Sequence, residues 1–131
     1  AYFATPFTAL GIVPEAASSF LFPLILGRSK ATEMLLFSQK LSAEEAFKYN
    51  LVSKVFKLSE LDSEIWPKLR EFAETAKQSV RASKKLLRMH ERESVYTALR
   101  EECTQLGERF KSEEFMNAII AFATRKQKSK I

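Results

Sequence analysis

Past Leu58 the chain offers nothing that can serve as a strand. Apolar residues recur at helical spacing: Ile65, Leu69, Phe72, Ala73 and Ala76 in one stripe, then Val95, Leu99, Cys103, Leu106 and Phe110 in a second. A third stripe, Phe115, Ile119, Phe122 and Ala123, follows a Ser112 cap. β-rich sequence is confined to "AYFATPF" at the start, with Pro6 suited to a strand end, and to the alternating "LVSKVF" at 51–56. Strands this few cannot build a sheet of their own. The fold class is therefore mostly α with one or two short strands. The extended segments call for partners outside this sequence, so the chain reads as the C-terminal part of a larger fold.

The stretch between is also helical. "PEAASSFLF" predicts a helix with Pro14 in its first turn and Glu15 beside the positive end of the dipole. Pro23 is expected to end it and Gly27 to close the following turn. "SKATEMLLFS" has helical composition. In "SAEEAFKYN", Ser42 and Glu45 have capping-box spacing and Asn50 is a plausible stop. About seven helices result.

The length of 131 residues suits one domain with a modest core. Three glycines and four prolines are too few for disorder or a turn-rich all-β fold. No apolar run approaches the roughly 18 residues of a membrane span, and "AYFATPF" lacks the pattern of a signal peptide. Cys103 is alone, so no internal disulfide forms; on its apolar stripe it is expected to be buried and inert. His90 reads as a surface residue, and no residues stand at metal-ligand spacing. The net charge of +5 gathers in Lys77, Arg81, Lys84, Lys85, Arg88 and Arg92 and again in Arg125, Lys126, Lys128 and Lys130. Acidic residues are interspersed elsewhere and aromatics do not interleave with the basic runs, so solvated helix faces or a small phosphorylated ligand fit better than nucleic acid.

One carboxylate stands out. Within "ATPFTALGIVPEAASSFLFP", residues 4–23, Glu15 is the single charged side chain. It is either an ordinary helix-start glutamate, or a base kept poorly hydrated so that its proton affinity rises. The surrounding pattern TPF-x-x-LG-x-x-PE-x-x-S, with A-x-EML and L-x-A-x-EA-x-x-x-x-LV further along, resembles the crotonase (enoyl-CoA hydratase/isomerase) superfamily. Within it, the pattern is most similar to the peroxisomal delta-3, delta-2 enoyl-CoA isomerases. The resemblance spans the chain and is strongest over residues 3–56. It implies that 1–58 is the C-terminal part of a β-β-α spiral core and that 59–131 is a C-terminal helical region used in oligomerisation, commonly as a trimer. It also implies that the N-terminal half, with the two backbone N–H groups that hold the thioester oxygen, lies outside this sequence, so that the 131 residues alone are inactive.

The chemistry implied is movement of a double bond in a fatty acyl-CoA from C3 to C2 during β-oxidation, with Glu15 as acid/base and no cofactor beyond the CoA thioester substrate. Phe7, Leu10, Ile12 and Ala16 are the implied pocket residues. Hydratases of the family place a glutamate where Phe7 stands, and Phe7 cannot hold a water. The isomerases commonly have glycine after the PE pair; Ala16 and Ala17 depart from this and bear on chain-length preference. Arg125 and Lys126 correspond to basic residues near the CoA phosphates. Ser129-Lys130-Ile131 resembles the Ser-Lys-Leu address read by the peroxisomal import receptor, with a mitochondrial location as the alternative. The competing function is a non-catalytic crotonase-like scaffold that binds acyl-CoA. Some chromodomain-containing relatives of that kind carry aspartate at the position of Glu15.

Overall fold

The computed structural model describes residues 1–128, with side chains through residue 124. Strand β1 (Tyr2–Phe3) pairs antiparallel with β2 (Leu41–Ser42), Tyr2 opposite Ser42 and Phe3 opposite Leu41. Seven α-helices follow among the described residues: α1 (Ser18–Leu26), α2 (Arg28–Leu35), α3 (Ala43–Lys48), α4 (Trp66–Ala73), α5 (Lys77–Met89), α6 (Arg92–Arg109) and α7 (Glu113–Lys128). The mostly helical class read from the sequence holds.

The strands need correction. The opening segment finds its partner within the chain, and "LVSKVF" forms no strand. Residues 50–52 instead finish α3. Asn50 adopts a left-handed φ of 62°. The N–H of Leu51 donates to the Ala46 carbonyl at 2.8 Å, and that of Asn50 to Phe47 at 3.2 Å. These crossed bonds satisfy the orphan carbonyls of the helix end. Leu51 and Val52 then turn onto the core, so their apolar character comes from a helix stop and not from a pleat.

Two compact units are present, Ala1–Ser53 with Ser94–Ile131, and Lys54–Glu93. In the first unit Leu26, Met34, Leu41 and Ala46 form the buried cluster, with Phe22, Tyr49, Leu51 and Val52 against it. Met34 and Leu41 are fully buried, each a stabilisation of about 1.5–3 kcal/mol. α1 packs on α2. The Lys30 ammonium pairs with Glu33, lies 3.9 Å from Glu45, and sits 4.7 Å from the Tyr49 ring centre, tying α2 to α3. The predicted capping box is formed: Ser42 Oγ accepts the Glu45 N–H at 3.1 Å and Glu45 Oε2 accepts the Ser42 N–H at 3.0 Å. Ser112 Oγ caps α7 through the Phe115 N–H at 3.2 Å.

α1 departs from expectation at both ends. It begins at Ser18, four residues after Pro14, and it runs through Pro23 to Leu26. A proline there costs roughly 3 kcal/mol locally; packing of Phe22 and Leu26 against the core offsets it. In the second unit, α4 carries a proline in its first turn. On α5, Lys77, Arg81, Lys84, Lys85 and Arg88 are all exposed and at 3.6 residues per turn share an arc of about 100°.

Candidate active site

The segment from Pro6 to Ala17 joins β1 to α1 within the first unit and carries Glu15. It opens with a tight 3-10 turn over Thr8–Leu10: the N–H groups of Leu10 and Ile12 both donate to the Phe7 carbonyl at 3.0 Å, and the Gly11 N–H donates to Thr8 at 3.0 Å. Two threonines tie this bracket to the end of α2. Thr5 Oγ1 donates to the Met34 carbonyl at 3.0 Å and Thr8 Oγ1 to the Leu36 carbonyl at 2.7 Å, with Ser38 Oγ 3.2 Å from Thr8 Oγ1. On its other side the bracket meets α7. A Cβ on Gly11 would lie 2.9 Å from the Phe115 Cα, and Gly11 has φ +69°, so close backbone approach and a left-handed turn both call for glycine. Arg109 Nε donates to the Gly11 carbonyl at 3.3 Å while its guanidinium pairs with Glu114.

After Pro14 the chain turns sharply. The Ser18 N–H donates to the Glu15 carbonyl at 3.0 Å, and Ala16 and Ala17 have φ of 58° and 59°. Left-handed backbone at a residue with a Cβ costs roughly 1–2 kcal/mol, so two in succession need external support. Ala17 also occupies the N-cap of α1, and its methyl cannot accept a bond from the first helical turn. Glu102 on α6 supplies what is missing. Its Oε2 accepts the Ala17 N–H at 2.7 Å; its Oε1 accepts the Ser19 N–H at 2.9 Å and the Ser19 hydroxyl at 2.5 Å. The carboxylate at the positive end of α1 is therefore Glu102, and the sequence reading that gave Glu15 this place is corrected.

Glu15 is half-buried and its carboxylate has no hydrogen bond or ion pair among the described residues. Phe7, Leu10 and Ile12 are half-buried along the same segment, Ile12 and Val13 leading up to the Pro14–Glu15 pair, and Ala16 is exposed. Ser18 Oγ is buried without a partner among the described residues. Arg125 and Lys126 lie on the last turns of α7 with side chains outside the described ones, and Ser129, Lys130 and Ile131 lie outside the described residues altogether. Among the described residues no cluster of three His, Cys, Asp or Glu side chains is placed to hold a metal, and no helix is long and apolar enough to cross a membrane. His90 is exposed. So is Cys103, contrary to its expected burial: Ala98 and Glu102 are the buried residues of α6, and Val95, Leu99 and Leu106 of the predicted stripe are half-buried beside them, so the inward face turns away from Cys103. Glu102 was missed because a charged residue one step off an apolar stripe reads as solvated.

A family model described as enoyl-CoA hydratase/isomerase matches residues 1–130. The chain belongs to this family, the crotonase superfamily. Among the family's members it is 48% identical over 128 residues to enoyl-CoA delta isomerase 2 of Rattus norvegicus, covering 98% of this chain and 33% of the relative. It is 43% identical over 131 residues to enoyl-CoA delta isomerase 3, peroxisomal, of Mus musculus, covering 100% of this chain and 41% of that protein. The crystal structure of an enoyl-CoA hydratase/isomerase from Pseudoalteromonas atlantica superposes with a TM-score of 0.88 at 37% identity over 95% of this chain and 50% of that one. The chain thus spans half or less of the relatives it matches. The helical chain with two short strands is part of a crotonase fold.

Proposed function

We propose that the protein is an enoyl-CoA isomerase that converts 3-enoyl-CoA to 2-trans-enoyl-CoA in fatty acid β-oxidation, with Glu15 as the acid/base. The observation that carries the reading is the division of labour between two carboxylates. A glutamate just before a helix is ordinarily explained by the helix dipole, but at α1 that place is filled by Glu102. Glu15 is left half-buried with no bond among the described residues, although it follows an almost wholly apolar segment. A carboxylate not spent on the fold is free to accept and return a proton.

In this mechanism the Glu15 carboxylate takes a proton from C2 of the substrate. The C2–H electron pair delocalises into the thioester, forming a dienolate with negative charge on the thioester oxygen. The same carboxyl group returns the proton to C4, and the double bond comes to rest between C2 and C3. No cofactor is required. The oxygen charge requires preorganised donors, each worth roughly 3–4 kcal/mol in other enzymes. We place them in the part of the family fold that precedes this region, so the 131 residues alone are proposed to be inactive. Phe7, Leu10, Ile12 and Ala16 line the acyl end in this reading. We assign Arg125 and Lys126 to the CoA phosphates by family resemblance, and the assembled protein is proposed to be a trimer. A peroxisomal location draws support from the mouse relative named peroxisomal and from the Ser129-Lys130-Ile131 tail, which resembles the import-receptor address.

The test is Glu15→Gln in the full-length protein. The swap preserves shape and removes the base. We expect kcat to fall at least ~100-fold with CoA binding nearly unchanged. A variant that retains more than about a tenth of the wild-type rate would remove Glu15 from the mechanism and favour the scaffold reading.

A further inference from the structure

We infer that Glu102 is a positioning residue for Glu15: it holds the left-handed turn that presents the acid/base carboxylate. The inference rests on the reading of Glu15 as acid/base. Glu15 is separated from Ala17 by Ala16 alone, and both alanines lie in a backbone region that residues with a Cβ avoid. Left to local preference the segment would relax toward right-handed backbone, and the Glu15 side chain would swing with it. Within the turn the Ser18 N–H to Glu15 carbonyl bond is a single restraint against this, since Ala17 has no side-chain acceptor and Ala16 is exposed.

What opposes it comes from 85 residues away. Glu102 is 7% exposed, and both of its oxygens are engaged by the residues that bracket the start of α1. Burial of a carboxylate is costly unless donors replace water, and here three donors converge on it. Each of these contacts fixes residues 17–19, and residues 17–19 fix the exit of the chain from Glu15. An acid/base that serves two carbons of one substrate tolerates little displacement: a shift of about 1 Å in a catalytic group can cost on the order of 100-fold.

The experiment is Glu102→Gln in the full-length protein, with Ser19→Ala and Glu15→Gln alongside. The amide keeps the shape but has one acceptor oxygen, so one of the two backbone N–H groups faces an NH2. We expect kcat per CoA-titrated site to fall roughly 10-fold or more with KM within about 2-fold. The kinetic isotope effect with C2-deuterated substrate should rise toward its full value, because proton abstraction becomes the slow step. Ser19→Ala, which removes only the hydroxyl donor, should change both readouts in the same direction by less. A purely structural Glu102 would lower the melting temperature and the number of titratable sites, but leave kcat per site and the isotope effect unchanged; that result overturns the inference. If Glu102→Gln does not fold, Ser19→Ala and Glu102→Asp decide, and unchanged kcat in both overturns it. If Glu15→Gln keeps its activity, the acid/base reading fails and this one with it. If Glu15→Gln is inactive while Glu102→Gln is normal, the positioning role alone is lost.

Discussion

At Ala16 two backbone effects on stability oppose each other. Its φ of 58° places a methyl group where the backbone carbonyl crowds it, at a cost of roughly 1–2 kcal/mol. Glycine would meet the same turn without that cost. Glycine loses more backbone entropy on folding, about 0.5–1 kcal/mol, so the two effects oppose each other. Ala16 is exposed and has no packing to lose. Ala16→Gly is therefore expected to be neutral to stabilising, by up to about 1 kcal/mol, in denaturant unfolding of the full-length protein. A clear loss of stability would show that the Ala16 methyl is covered in the assembled protein. Ala17 is different: it is buried, and its N–H is held by Glu102, so the same change there would open a small cavity.

Between elements, the segment of the Thr8–Leu10 turn approaches α7 closely at Gly11. Gly11→Ala would bring a Cβ to 2.9 Å from the Phe115 Cα, backbone that cannot move aside without shifting α7, and would do so at a left-handed φ. We expect a loss of more than about 2 kcal/mol, the range of steric and backbone strain combined, read as a fall in the unfolding midpoint with an unchanged slope. A variant within about 0.5 kcal/mol of wild type would mean that the turn and α7 are not in contact in solution. The Ser42–Glu45 box, the Asn50 stop and the Ser112 cap are legible because the residues that bond are three to six positions apart. The start of α1 is not, because its first donors are satisfied from α6. Its passage through Pro23 is not, because tertiary packing outweighs a local penalty. "LVSKVF" misleads because apolar residues that fold back onto a helix end show the same short alternation as a strand. At the candidate site, Glu15 was legible through its isolation in an apolar segment and the motif around it. Its support was not: Thr5, Thr8, Arg109 and Glu102 act across 28 to 98 residues of sequence.

At the scale of the whole chain, the buried cluster is small and much apolar surface is left in water. Phe37, Leu58 and Leu87 are 67%, 88% and 79% exposed, and Leu36, Ile120 and Phe47 are exposed as well. Surface of this kind on a folded chain marks interfaces. Family membership supplies the expectation of what covers it: the remainder of the crotonase fold and, in the proposed trimer, neighbouring subunits. The 131 residues prepared alone should therefore self-associate, giving concentration-dependent species in sedimentation velocity and strong binding of a hydrophobic dye, while the full-length protein shows one discrete oligomer and little dye binding. Salt separates the two forces that act. With a net charge of +5 and an exposed basic arc on α5, chains repel one another at low ionic strength. Raising salt to about 1 M shortens the screening length to about 3 Å and leaves apolar attraction in place, so association should strengthen. If instead the species dissolve as salt rises, charge pairing holds them together and the exposed apolar residues are not the interface. A monodisperse monomer at every ionic strength would mean that these side chains are covered within the chain itself.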